Sequence, residues 1–191
     1  MVIDDHDPSR RNLAGALLLG GYEVVGEGSS GKTAAALVAA TTPEVVLMAV
    51  GLSDLDGINA ARKIMETTPR PIVLLTSHYD PDTIERAKNA GVMGYLVKPL
   101  REHELNPAIE LAVSRFNEFA DLQKQNQELK KTLEARKIIE RAKGILMQRQ
   151  GLSEAEAFSS IQKKSMDMRK PMAEIAQAII VSEEVGQRKK H

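Results

Sequence analysis

Asp4, Asp5, Thr76 and Lys98 each follow a short apolar run, and their side chains suit phosphate chemistry if the fold brings them together. Carboxylate oxygens bind a hard divalent cation such as Mg²⁺. An ammonium neutralises phosphoryl charge as a point cation, and a hydroxyl hydrogen-bonds a phosphoryl oxygen. A second phosphate pattern, Gly26-Glu27-Gly28-Ser29-Ser30-Gly31-Lys32-Thr33, fits G-x-x-x-x-G-K-[ST] between a strand and a helix. Its amides would cradle the phosphates of a nucleotide, with Lys32 at the terminal phosphates and Thr33 on Mg²⁺. Such a site also needs an acid ending a neighbouring apolar strand, and the candidate, Val45 to Met48, runs into Ala49. A plain turn into a helix is the preferred reading of Gly26 to Thr33, with nucleotide binding as the alternative. His6, His78, His103 and His191 lack metal-ligand spacing, neither Ser29 nor Ser30 sits in a nucleophile elbow, and cysteine is absent. No independent enzyme is visible.

The elements that must position these groups follow from pattern. The chain has 191 residues, 42% hydrophobic and 27% charged, enough for a sizeable core and for a medium domain beside a small one. Its longest apolar run, Ala34 to Ala40, is too short to span a membrane. Met1-Val2-Ile3-Asp4-Asp5 turns acidic at once, unlike a signal peptide, so a cytoplasmic protein without membrane attachment is expected. Apolar runs at Met1–Ile3, Tyr22–Val25, Val45–Val50, Ile72–Leu75 and Met93–Val97 read as buried strands. Amphipathic stretches near Pro8–Leu19, Thr33–Ala40, Ile58–Thr67 and Pro81–Ala90 read as the helices between them. The expected fold is α/β, a five-stranded, parallel, doubly wound (flavodoxin-like) sheet. Its ligand crevice lies beyond the carboxyl ends of the strands. That edge carries Asp4, Asp5, Ala49, Thr76 and Lys98.

In this order and on this sheet, the set closely resembles the receiver domain of two-component response regulators, over about residues 1–115. Val45 to Gly57 resembles that family's third strand and the loop after it. The resemblance implies Mg²⁺ held by Asp4, Asp5 and the main-chain carbonyl of Gly51, with Lys98 and Thr76 on the phosphoryl group. Tyr95 would swing inward as the hydroxyl moves. It also implies a sensor histidine kinase as the partner of a parent with an intact acceptor. The chain departs from the pattern at the acceptor itself: the position of the family's aspartate is Ala49, and the loop proline four residues on is Ser53. A methyl group can neither form an acyl phosphate nor ligate a metal, so acceptor chemistry is absent and Mg²⁺ affinity weakened. An introduced substitution and a receiver that has lost the reaction both account for Ala49; intact Asp4, Asp5, Thr76 and Lys98 favour the first.

The second half changes character. Fourteen basic and 18 acidic residues precede Glu134, whereas 12 basic and 8 acidic follow from it. The basic part is the one suited to a polyanion. From Pro107, placed in a first turn, to about Gln150, a long helix is expected, about 60 Å if it runs for about 40 residues. Phe119, Asn126 and Leu133 recur at heptad spacing, interleaved with Leu122 and Leu129. This is a seam for a second copy of the chain, with Asn126 setting register and a two-stranded state. Ser153 to Glu156 is a capping box in form, and Pro171 opens a last helix. Ile138, Ala142, Ile145 and Leu146 are expected to pack on Phe158, Ile161, Ile175 and Ile179.

Ile139-Glu140-Arg141-Ala142-Lys143-Gly144-Ile145-Leu146-Met147, with Ala155 to Phe158 and Ile175-Ala176, resembles the ANTAR domain, over roughly residues 130–185. That is a small three-helix RNA-binding module of transcription antitermination regulators. Receiver, long helix and ANTAR together resemble regulators of nitrate, amide and ethanolamine utilisation, most the last. The resemblance implies hairpin RNA in a nascent transcript as ligand and a phosphorylation-favoured dimer. Candidate RNA-binding residues are Arg136, Lys137, Arg141, Lys143, Arg149, Lys163, Lys164, Arg169 and Lys170, with Gly144 as a point of close backbone approach. The expected domains are 1–115 receiver, 116–133 coiled-coil helix and 134–191 RNA-binding. A helix-turn-helix regulator of DNA is the other alternative.

Overall fold

Alternate residues of the apolar runs enter two different cores, which is what a parallel sheet covered on both faces requires. The computed structural model describes residues 1–78 and 80–188, in two units, Met1–Asp121 and Leu122–His191. His191 and the two residues before it, the end of the expected 134–191 module, lie outside the described residues. In the first unit, β1 (Val2–Ile3), α1 (Asp7–Leu19), β2 (Glu27–Gly28), α2 (Gly31–Thr41), β3 (Val46–Ala49), α3 (Gly57–Thr67), β4 (Ile72–Thr76), α4 (Pro81–Asn89) and β5 (Gly94–Val97) follow in order, and α5 (Glu102–Gln150) begins. All strand pairs are parallel, in the order β2-β1-β3-β4-β5. This is the flavodoxin-like winding.

Ile3, Met48, Ile72 and Leu74 pack on one side with Val38, Ile58 and Ile64 of α2 and α3. Val2, Leu47, Val73 and Leu75 pack on the other with Leu13 and Leu17 of α1 and Leu105 and Ile109 of α5. The helices begin where side chains satisfy the free amides of the first turn: His6, Ser30, Asp56 and Asp80 cap α1 to α4. Gly57 allows α3 to start against β3, because a Cβ there would lie 2.1 Å from the Ala49 carbonyl oxygen.

Two boundaries differ from the pattern-based expectation. The second strand is not Tyr22–Val25 but Glu27–Gly28, fixed by bonds from Val2 N to Gly26 O (3.0 Å) and Asp4 N to Gly28 O (2.9 Å). Tyr22 and Val24 pack on the α1/α5 side of the sheet without joining its ladder. The long helix starts at Glu102, ahead of Pro107, which lies inside it. An interior proline costs about 3 kcal/mol. Burying Leu105 and Ile109, each worth about 1.5–3 kcal/mol, offsets that loss.

In the second unit, the remainder of α5 is followed by α6 (Glu154–Met168) and α7 (Met172–Arg188). The capping box is present: Glu156 N donates to Ser153 Oγ, and Ser153 N donates to Glu156 Oε2 at 2.8 Å. The core consists of Ala142, Leu146, Ala157, Ile161, Ile175, Ala176 and Ile180. Phe158, expected inside, is 41% exposed, because Ala157 and Ile161 take the buried face of α6.

Candidate functional site

At the carboxyl edge of the sheet the structure brings Asp4, Asp5 and Lys98 together beneath Ser53. Asp4 is 1% exposed; its Oδ2 accepts from Lys98 Nζ at 2.6 Å and its Oδ1 from His6 N at 3.0 Å. Asp5 Oδ2 accepts from Ser53 N at 2.8 Å. Ala49 closes β3 with its methyl group buried. Thr76 closes β4, and its hydroxyl donates to His78 O at 2.9 Å. Tyr95 stands half out of β5, 42% exposed. The Lys98–Pro99 peptide is cis.

A hard dication wants a full set of oxygen ligands. Here one of the two carboxylates is bonded to Lys98 and the other to a backbone amide, and Ala49 offers no third. Among the described residues no group of three acids or histidines could hold a metal. Asp4, Asp5 and the Gly51 carbonyl are the oxygen donors this edge could offer a dication, one carboxylate fewer than an acidic residue 49 would give.

The Gly26–Thr33 segment has its own internal anion. Asp54 accepts from Ser30 Oγ at 2.6 Å, Gly31 N at 2.9 Å and Lys32 N at 3.4 Å. A Cβ on Gly31 would sit 2.4 Å from Leu55 O, so this glycine serves close packing of the loop onto α2. A nucleotide phosphate would have to displace Asp54 from the amides it would use.

The Ser30 hydroxyl, with the Gly31 and Lys32 amides, holds the Asp54 carboxyl below its usual range against some opposing desolvation. Its bonds therefore stabilise the fold above the ordinary aspartate range and are lost as pH falls through the lowered value. Acid unfolding followed by circular dichroism should have a shallower pH dependence below about pH 4 in Asp54→Asn than in the parent chain. Equal slopes would remove Asp54 from this role.

The second unit sorts the candidate cations by what they touch. Lys143 is 6% exposed; its Nζ donates to Glu154 Oε1 at 2.7 Å and to Glu140 Oε2 at 2.9 Å. Glu154, then Glu140, push its ammonium pKa up. It joins α5 to the start of α6 and presents no accessible charge, which corrects its expected place among the RNA-facing residues. A Cβ on Gly144 would meet nothing within 4 Å, so among the described residues no other element approaches this glycine closely. Lys137 pairs with Glu134 and Arg141 with Glu184, while Arg149 meets Glu183 and Lys170 meets Glu174. Arg136, Lys163, Lys164 and Arg169 are exposed.

The i,i+3 and i,i+4 partners Glu134, Glu140 and Glu174 were readable from spacing. The partners across helices, Glu154, Glu183 and Glu184, carry no such signal. Along α5, Phe119, Leu122, Leu129 and Leu133 are 47%, 57%, 71% and 55% exposed, and Asn126 lies on the exposed face as well. No helix among the described residues is long and apolar enough to cross a membrane.

Comparison with known proteins agrees with this division. Residues 1–110 match the response regulator receiver domain, and residues 127–180 match the ANTAR domain. The transcriptional regulatory protein PdtaR of Mycobacterium tuberculosis (strain ATCC 25618 / H37Rv) is 42% identical over 180 residues, 94% of this chain and 88% of that protein. The regulatory protein AtoC of Escherichia coli (strain K12) is 32% identical over 134 residues, 70% of this chain and 28% of that protein. The signal receiver domain of a modulated diguanylate cyclase from Desulfovibrio desulfuricans G20 superposes with a TM-score of 0.57 at 29% identity. It covers 61% of this chain and 93% of that one. The receiver domain of the putative response regulator NarL from Mycobacterium tuberculosis gives a TM-score of 0.56 at 30% identity, over 59% of this chain and 93% of that one.

Proposed function

This chain belongs to the response regulators that join a receiver domain to an ANTAR domain, and from that premise we propose that it controls transcription antitermination by binding hairpin RNA in a nascent transcript. It does so as a homodimer in the cytoplasm and without phosphorylation at residue 49. Residues 1–115 act as the receiver, 116–133 as the pairing helix and 134–191 as the RNA-binding module. The observation that carries the reading is the pairing of an exposed apolar heptad seam with a cationic three-helix unit on one chain.

The seam offers a surface suited to a second helix, and the exposed Arg136, Lys163, Lys164 and Arg169 offer charge to phosphates. A sensor histidine kinase serves a parent carrying an acidic acceptor; in this chain Ala49 leaves it nothing to phosphorylate. Mg²⁺ held by Asp4, Asp5 and the Gly51 carbonyl would bind weakly, because Ala49 supplies no carboxylate beside them. RNA that prefers the paired form shifts the population toward it. Binding is thus weak at low protein concentration and strengthens as chains pair.

The test is filter binding of a labelled RNA hairpin and of a DNA duplex of the same stem sequence, across a protein titration that spans dimerisation. The hairpin is expected to bind with an affinity that rises with protein association and falls steeply with salt. Preference for the DNA duplex would replace this reading with that of a DNA-binding regulator.

A further inference from the structure

Where the ends of α5 and α6 meet α7, the second unit opens a cleft of about 510 Å³. That is within the range of roughly 300–1,000 Å³ typical of ligand sites. Its floor is apolar, formed by Ile145, Ile175, Ala178 and Ile179; Met168 lies along one wall. Its rim is cationic: Arg149 from α5, Lys164 from α6 and Lys170 from the turn before α7. Gln150 and Ser182 add an amide and a hydroxyl at the same mouth. Arg149 and Lys170 are held over the cleft by Glu183 and Glu174, whereas Lys164 stands exposed. An apolar floor under a cationic rim is complementary to a flat heteroaromatic ring attached to phosphates.

We infer that this cleft seats one unpaired base of the hairpin loop, with the flanking phosphates on Lys164, Arg149 and Lys170. The inference rests on the RNA-binding reading above. A base inside a duplex has no free faces, so only an unstacked loop base can enter; sequence preference in RNA arises largely at such bases. The ring lies against the isoleucine side chains and the polarisable Met168 sulfur. Gln150 and Ser182 hydrogen-bond its edge. Phosphates approaching Arg149 and Lys170 compete with Glu183 and Glu174. Binding therefore exchanges carboxylate partners for phosphate ones at two of the three rim cations.

The probe is an RNA hairpin of fixed stem, its short loop selected from a randomised pool for binding to the full chain, followed by abasic substitution at each loop position. One abasic position is expected to weaken binding about 10-fold or more, as a lost stacked base does. Ala178→Trp, which fills the cleft from an exposed position, should weaken the intact hairpin by a similar factor while leaving its salt slope unchanged. In that variant the same abasic substitution should cost nothing further, since the two changes act on one contact. Ser182→Phe fills the mouth from the next turn of α7 and serves as an independent check, with the helical content of both variants verified by circular dichroism. Lys164→Ala should reduce affinity for every hairpin alike and lower the salt slope by about 1. Unchanged hairpin affinity in both filled variants, or an abasic cost that persists in them, overturns the cleft as the base site and leaves RNA binding standing. Failure to select any hairpin over the DNA duplex overturns both.

Discussion

Incubated with Mg²⁺ and acetyl phosphate, the chain will acquire no phosphoryl group in its receiver domain, whereas Ala49→Asp will acquire one per chain. The effect is all or none because the reaction needs a nucleophilic oxygen. In the variant, a carboxylate oxygen attacks phosphorus, the bond from phosphorus to the acetyl oxygen breaks, and acetate leaves with the electron pair. Position 49 ends β3 at the edge where Asp4, Asp5, Thr76 and Lys98 also lie. An aspartate there restores a third acid to the pair and gives Lys98 a second anion to hold. Intact-mass spectrometry reads the adduct, and hydroxylamine should remove it, as it does an acyl phosphate. A phosphoryl group on the parent chain's receiver, or a folded Ala49→Asp chain that stays unmodified, would refute the assignment of this edge.

Leu122→Asp with Leu129→Asp is expected to hold the chain monomeric and to cost about 10²-fold or more in RNA affinity. Both side chains are more than half exposed, so their replacement removes no packing within one chain; such surface changes ordinarily alter stability by less than about 0.5 kcal/mol. In a pair of helices the same positions lie in the seam, where two facing carboxylates are desolvated beside like charge. Two RNA-binding units on one dimer engage a transcript with a second contact that is intramolecular, and linkage of that kind is worth about 10²–10⁴ in affinity. Asn126→Leu should act oppositely on association, strengthening it while loosening the choice of register and strand number. Sedimentation velocity and filter binding on the same samples decide the matter. An unchanged affinity in the doubly substituted monomer would separate RNA binding from pairing.

Much of the sheet was legible because strands buried on both faces advertise themselves: Val46 to Ala49 and Ile72 to Leu75 are apolar throughout. The edge strand was misplaced because its ladder is set by partners far away in sequence. Val2 and Asp4 meet Gly26 and Gly28, not the more strand-like Tyr22 to Val25. The start of α5 was obscured by Pro107, whose local cost is outweighed by burial of Leu105 and Ile109. In the second unit the core helices followed their periodicity, apart from Phe158. The charges did not, since nothing in the order of residues says that Glu154 reaches Lys143 or that Glu183 reaches Arg149. At the carboxyl edge the residue types were plain, but the engagement of Lys98 by Asp4 and of Asp54 by the Gly31 amide belongs to three dimensions.

That buried clasp between Lys98 and Asp4 has an outcome for the cell. A receiver that takes on and sheds a covalent mark reports a stimulus within the lifetime of the mark. One whose ammonium already has its anion, beside an inert methyl group, keeps no such clock. Under the function proposed above, its output would scale with how many chains are present to pair.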